Sequence, residues 1–207
     1  MNEQLFNAIC KGDRTQVSSL VSSELGTGAS PNSILNESMI PAIRNIGERF
    51  SKHEVYVPEM LVAARAMQTG LDILTPILAK AGHKSLGKVA VGTVKGDLHD
   101  IGKNLVSIML KGAGYEVDDL GVNCPLEKYI VAAEKGATVL LCSALLTTTM
   151  PYMKEVVDHF KKAKSDVKVV IGGAPVTQEY ADSISAHGYG TDAYDAVKLV
   201  DRLMLIK

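Results

Sequence analysis

Lys88-Val89-Ala90-Val91-Gly92-Thr93-Val94, followed by Lys95-Gly96-Asp97-Leu98-His99-Asp100-Ile101-Gly102, reads as a buried strand running into a glycine-flanked polar loop. A short apolar run bounded by loop residues marks a strand covered on both faces. A helix is expected from about Asp100 to Lys111, stopping at Gly112-Ala113-Gly114. The same alternation then repeats. Strands are expected over Tyr115–Leu120, Thr138–Ser143 and Val167–Ile171, with a short fifth near Gly188-Tyr189. Helices are expected over Glu127–Lys135, Met150–Lys164, Gln178–Ser185 and Asp192–Leu205. Alternating strands and helices imply an α/β domain, a parallel sheet with helices on both faces.

Upstream of this frame the pattern is purely helical. Met60, Ala64, Met67, Leu71, Leu74 and Leu78 make one stripe on a helix that starts at Val57-Pro58-Glu59. Leu35, Met39, Ile43, Ile46 and Phe50 make a second, opened by Ser30-Pro31 and kinked by Pro41. Residues 2–11 and 13–25 read as two shorter helices ended by Gly26-Thr27-Gly28. Ala81 to Gly87 is a short linker. The expected organisation is an all-α helical bundle over residues 1–86 and an α/β domain over residues 87–207.

With 207 residues, 46% hydrophobic and 22% charged, the chain has the composition of a well-cored globular protein. A formal net charge of −1 and only 5% aromatic residues exclude a dedicated nucleic-acid or membrane-surface binder. No signal peptide and no apolar run of the roughly 18 residues a spanning helix needs are visible. Cys10, Cys124 and Cys142 are odd in number and far apart, which fits a reducing cytoplasm rather than a disulfide framework.

Three signals fall at the carboxyl ends of strands, where open parallel sheets bind ligands. Asp97 and His99 come after the first strand, Ser143 ends the third and Gly172-Gly173 closes the fourth. Ser143 lies beyond 40 intervening residues from Gly102, and Gly172 beyond a further 26 from Leu145. The sum is Asp-x-His-x-x-Gly, Ser-x-Leu and Gly-Gly on one rim. Gly96 and Gly102 permit tight backbone around the histidine, and Gly172 and Gly173 let a bulky flat group approach the main chain. Neutral imidazole is the commonest nitrogen ligand of metals, and a metal-bound histidine usually donates its other N–H to a carboxylate, here Asp97. An isolated Asp-x-His is ordinarily a surface pair capping the next helix; the two later signals raise it above that. A dinucleotide site wants Gly-x-Gly-x-x-Gly in this loop, and a zinc hydrolase wants three or four clustered ligands. Neither is present. His53, His83, His159 and His187 have no ligand spacing and read as surface residues.

The set resembles the cobalamin-binding domain of corrinoid proteins, the methyl carriers of cobalamin-dependent methyltransferase systems, and is similar to the cobalamin-binding module of methionine synthase. The likeness extends over nearly the whole chain. Ile40 to Phe50 and Val55 to Leu61 look like the family's helical cap; Gly96 to Asn104 and Gly172 to Thr177 match its second domain. The resemblance implies a helical cap followed by a flavodoxin-like, Rossmann-type domain. It implies cobalamin or a related corrinoid as cofactor, with His99 as the lower axial ligand of cobalt in place of the cofactor's own base. Asp97 would hydrogen-bond His99, and Thr149, six residues after Ser143, would complete the relay. Gly96, Asp100, Ile101 and Gly102 complete the histidine loop at the cofactor. Ser143, Leu145, Gly172 and Gly173 would hold the displaced nucleotide tail, with Tyr189 in a loop near it. Thr147 would face the corrin. Tyr56, Met60 and Met67 are candidates for its upper face. Ser185-Ala186-His187 departs from the family's glycine and aspartate at the first and third positions.

The function implied by resemblance is that of a carrier subunit, not catalytic alone. It would carry a methyl group on cobalt between a substrate-specific methyltransferase and a second methyltransferase acting on a folate or thiol. A reductive activating protein would be a further partner. The resemblance also implies a cap that moves aside through the 81–87 linker. Two rivals share the three signals: the cobalamin-binding subunit of a radical mutase, which is covered by a substrate barrel instead of a helical cap, and a cobalamin-based sensor, which usually has a helix-turn-helix in front, for which no room is expected here.

Overall fold

The computed structural model describes residues 1–80 and 85–205. It divides into two compact units, Met1–Ser85 with Lys111–Gly114, and Leu86–Leu110 with Tyr115–Lys207. Of the linker expected at 81–87, residues 81–84 lie outside the described residues.

The first unit is helical. α1 (Glu3–Lys11) begins where the Asn2 side chain accepts from the N–H groups of Gln4 and Leu5, and ends at Gly12, whose φ of 76° is the left-handed cap glycine adopts cheaply. α2 (Arg14–Gly26) is capped by Asp13. α3 (Pro31–Ile34) opens on the Ser30 hydroxyl, with Pro31 where its missing N–H is not needed. α4 (Ile40–Ser51) and α5 (Val57–Lys80) complete the unit. The helix expected from Ser30 to Phe50 is not a simple kinked α-helix. A π-helical turn, Leu35–Met39, joins α3 to α4, and the Ile40 N–H reaches back to the Leu35 carbonyl. Pro41 supplies no N–H to the ladder, and the widened turn falls directly before it. Leu5, Ile9, Val17, Val21, Met39, Ile43, Ile46 and Leu74 are fully buried, which is where their helical spacing predicts them.

The second unit is a five-stranded sheet in the order β2-β1-β3-β4-β5, with every pair parallel. Its strands are β1 (Lys88–Val94), β2 (Glu116–Cys124), β3 (Val139–Ser143), β4 (Lys168–Gly172) and β5 (Gly188–Gly190). The helices are α6 (Ile101–Gly112), α7 (Leu126–Glu134), α8 (Pro151–Lys162), α9 (Gln178–Ser183) and α10 (Ala193–Leu203). This is the flavodoxin-like doubly wound order, which reverses direction between β1 and β3. Register places Thr93, Ser143, Gly172 and Gly190 in one row across β1, β3, β4 and β5. β2 departs from expectation. It continues past Leu120 to Cys124, with Gly121 (φ 81°) and Asn123 (φ 49°) in left-handed conformations and two shifts of register against β1. A glycine in a polar stretch reads as the end of a strand, whereas here it makes an irregularity inside one.

Candidate cofactor site

The loop between β1 and α6 and the loop after β3 meet at the topological switch point, where a doubly wound sheet leaves a crevice. The first loop turns on Val94-Lys95-Gly96-Asp97. The Asp97 N–H donates to the Val94 carbonyl at 3.1 Å, and Gly96 has φ 85°. That is the turn position where a side chain is strained and glycine is not.

Asp97 is the hub of the site. It is completely buried, yet every direction around its carboxylate is occupied. Oδ1 faces the Nδ1 of His99 at 2.7 Å and accepts the His99 main-chain N–H at 3.1 Å. Oδ2 accepts the N–H groups of Leu145 and Leu146, at 2.8 and 3.2 Å, and the Thr149 hydroxyl at 2.8 Å. Burial alone pushes this carboxyl up. The hydrogen bonds from Leu145, from His99 main chain and ring, and from Thr149 outweigh it and hold the group well below the usual carboxylate range. A carboxylate only accepts, so Nδ1 of His99 is the protonated nitrogen and Nε2 carries the free lone pair.

Thr149 has one hydroxyl proton and two acceptors in reach, Asp97 Oδ2 and the Leu146 carbonyl at 2.9 Å. That carbonyl already accepts the N–H groups of Thr149 and Met150, at 3.1 and 3.3 Å. The charged acceptor takes the proton. The chain Thr149–Asp97–His99 expected from the sequence is therefore closed by direct contacts.

The residues around the histidine fit a flat macrocycle. The His99 side chain is 50% exposed while its carboxylate partner is sealed. Leu98, Leu145 and Leu146 on this pair of loops, and Ile101 at the start of α6, are large exposed apolar side chains. A Cβ added at Gly102 would meet nothing within 4 Å, so no packing within the protein asks for glycine there. No three His, Cys, Asp or Glu side chains gather as a metal cluster among the described residues. His99 is thus a single donor, suited to a metal that arrives already held by a macrocycle. Asp100 is exposed and its Oδ2 accepts from Asn104 at 3.0 Å. Thr147 is exposed beyond Leu146.

The other expected residues divide. Ser143 and Gly172 are neighbours in register and both half-buried, and Tyr189 packs against the core beside them. Gly173 is a glycine for a reason the sequence does not show. At φ 128° a Cβ there would collide with the Ala144 carbonyl oxygen, so the loop after β3 by itself requires its bareness. Gly172 likewise faces the Gly190 carbonyl, at 3.1 Å from where a Cβ would stand. In the helical unit Tyr56 is 67% exposed and its N–H is capped by Glu59, but Met60 and Met67 are fully buried and present no surface to a ligand in this structure. His187 is exposed, and its Nδ1 accepts the Val169 N–H at 3.0 Å, so it serves the join of β4 and β5.

Sequence reasoning misses two contributors. The fully buried Thr93 donates its hydroxyl to the His99 carbonyl at 2.8 Å. Asn123 contacts both Gly96 and Asp97. Thr93 sits inside the strand pattern and Asn123 in a segment that reads as loop, and neither has a spacing that ties it to His99.

Comparison with known proteins finds B12 binding families over both parts of the chain. Residues 87–198 match one B12 binding domain family and residues 1–75 match a second family, also described as a B12 binding domain. The chain is 36% identical over 208 residues to a corrinoid protein of Desulfitobacterium hafniense, covering 98% of this chain and 96% of that protein. It is 38% identical over 198 residues to the trimethylamine corrinoid protein of Methanosarcina barkeri, covering 93% and 91%. Among solved structures it resembles the methanol:cobalamin methyltransferase complex of Methanosarcina barkeri, with a TM-score of 0.87, 28% identity, and coverage of 99% of this chain and 79% of that one.

Proposed function

The chain belongs to the B12-binding family of corrinoid proteins and takes cobalamin or a related corrinoid as its cofactor, and from that premise we propose that it is a methyl carrier. One partner is a methyltransferase that draws the methyl group from a small methylated compound, of the kind named for the trimethylamine and methanol relatives. The other is a methyltransferase that delivers it to a folate or thiol. When bound, the corrinoid supplies the methyl-accepting and methyl-donating chemistry; the protein supplies ligation, orientation and protection. The helical half, matched over residues 1–75, supports a carrier over a mutase subunit. Three free cysteines and the lack of a membrane-crossing helix among the described residues support a cytoplasmic site of action.

The observation that carries this reading is the buried anionic Asp97 aimed at Nδ1 of His99. It fixes the tautomer so that Nε2 carries the lone pair that would ligate the cobalt of a bound corrinoid. Thr149 and the Leu145 and Leu146 N–H groups keep Asp97 ionised and still. The proton that replaces the metal is gained and lost at the half-exposed Nε2 while Asp97, kept ionised, still holds Nδ1–H, so His99 would bind and release without a change of fold. Ser143, Gly172 and Tyr189 form the slot for the displaced tail, and Leu145 lines it.

The test is transfer itself. The reduced holoprotein is charged with radiolabelled methyl iodide, separated from reagent, and mixed with a thiol- or folate-specific methyltransferase. Label should stay with the protein and then appear in the acceptor. Adenosylcobalamin as the co-purifying cofactor, together with no label retained, would overturn the carrier reading.

A further inference from the structure

The axial-ligand loop is held from two sides. On one side the loop after β3 grips Asp97 Oδ2. On the other stands the irregular end of β2, and there Asn123 makes two contacts with consecutive residues. Its side-chain Oδ1 accepts the Gly96 N–H at 2.8 Å, and its own N–H donates to the Asp97 carbonyl at 2.9 Å. We infer that Asn123 is a positioning residue for the cobalt ligand: it fixes the Gly96–Asp97 turn, and through Asp97 the direction of the His99 ring. The inference rests on His99 being the axial ligand.

The local geometry explains why asparagine suits the place. Gly96 sits at φ 85° at the head of the loop, and its N–H has no role in the turn that Val94 and Asp97 close. β2 reaches that N–H only because Gly121 and Asn123 both adopt positive φ, which steps the strand out of regular register with β1. Asparagine enters the left-handed region more readily than most residues, and its short amide then reaches neighbouring main chain. An independent contact braces the same edge one turn further along. Lys103, on the first turn of α6 and almost fully buried, places its Nζ 2.5 and 2.6 Å from the two carboxylate oxygens of Asp119 on β2. β2 therefore holds the chain both just before and just after His99. Asp97 Oδ1 stands 2.7 Å from the imidazole, so a loosened turn displaces the acceptor that orients the ring.

Two variants separate the side-chain contact from the backbone shape. Asn123→Gly keeps the positive φ and removes Oδ1. Asn123→Asp keeps both the φ and an acceptor. In the apoprotein, Asn123→Gly should lose hydrogen-exchange protection at the Gly96 N–H. In the Co(II) holoprotein it should lower the fraction of cobalt whose electron paramagnetic resonance shows nitrogen coupling, and weaken cobalamin binding about 10-fold, the low end of outer-shell effects. Asn123→Asp should restore all three. A merely structural role would lower the melting temperature but leave the nitrogen-coupled fraction at wild-type level, and that result overturns the inference. Equal impairment of the Gly and Asp variants overturns it too. His99→Ala is the control for the premise: nitrogen coupling that survives in it would reject His99 as ligand, whereas coupling lost in His99→Ala but intact in Asn123→Gly rejects only the role of Asn123.

Discussion

At position 97 the difference between a carboxylate and an amide is a difference in which nitrogen of His99 holds the proton. Leu145, Leu146 and Thr149 all donate toward Oδ2. In Asp97→Asn the amide oxygen must turn to those donors, which leaves the NH2 facing His99 Nδ1. Nδ1 then accepts, the ring proton moves to Nε2, and the ligand lone pair is lost; the three hydrogen bonds on Oδ2 are kept, but the His99 main-chain N–H loses its acceptor. Cobalamin affinity should fall by about 10–100-fold, with loss of nitrogen coupling in the Co(II) spectrum and a modest fall in melting temperature from the one hydrogen bond lost. Thr149→Val removes one donor of three from Oδ2 and leaves the tautomer alone, so its loss of affinity should be smaller than that of Asp97→Asn. The reverse order would mean that the hydroxyl, not the carboxylate, governs ligation. His99 and Asp97 are legible in the sequence because each has a side chain whose chemistry states its use, whereas Thr149 is reached only through the family resemblance. The Leu145 and Leu146 N–H groups are not, because main-chain donors leave no trace in residue type.

Among the elements, two glycines of the motif sit in opposite circumstances. Gly102 lies on the first turn of α6 with open space where a Cβ would be, and Gly173 lies against the Ala144 carbonyl with positive φ. Gly102→Ala replaces the poorer helix former and should hold or raise apoprotein stability, by up to about 1 kcal/mol. It should at the same time weaken cobalamin binding, since the added methyl occupies the surface offered to the corrin. Gly173→Ala should destabilise the apoprotein by about 2 kcal/mol or more, from backbone strain and displacement of the loop after β3. Urea unfolding of the apoproteins, paired with cobalamin titration, checks both. Unchanged affinity in Gly102→Ala would remove that turn from the cofactor surface. The alternation of strands and helices is legible because buried parallel strands are short apolar runs and their helices are striped. The end of β2 and the π-helical turn before Pro41 are not, because both are departures from a ladder that only the neighbouring backbone defines.

For the molecule as a whole, the hydrogen-bonded set lies inside one of the two compact units. Thr93, Gly96, Asp97, His99, Asn123, Leu145, Leu146 and Thr149 all belong to the unit formed by Leu86–Leu110 and Tyr115–Lys207. Cofactor binding is therefore linked to the folding of that unit. A ligand that binds only the native state stabilises it by about 2.7 kcal/mol when present at 100 times its Kd. For a protein of this size each kcal/mol moves the transition by about 2–4 °C, so cobalamin should raise the Tm by about 5–10 °C. The same arithmetic sets the size of the control. If His99→Ala lowers affinity about 100-fold, cobalamin at that concentration only equals the variant's Kd. The stabilisation then drops to about 0.4 kcal/mol and the shift to less than about 2 °C. Differential scanning calorimetry of both proteins, with and without cobalamin, measures this directly. A full-sized shift in His99→Ala would mean that the corrinoid is held mainly through its macrocycle and tail, and that axial ligation contributes little to the holding.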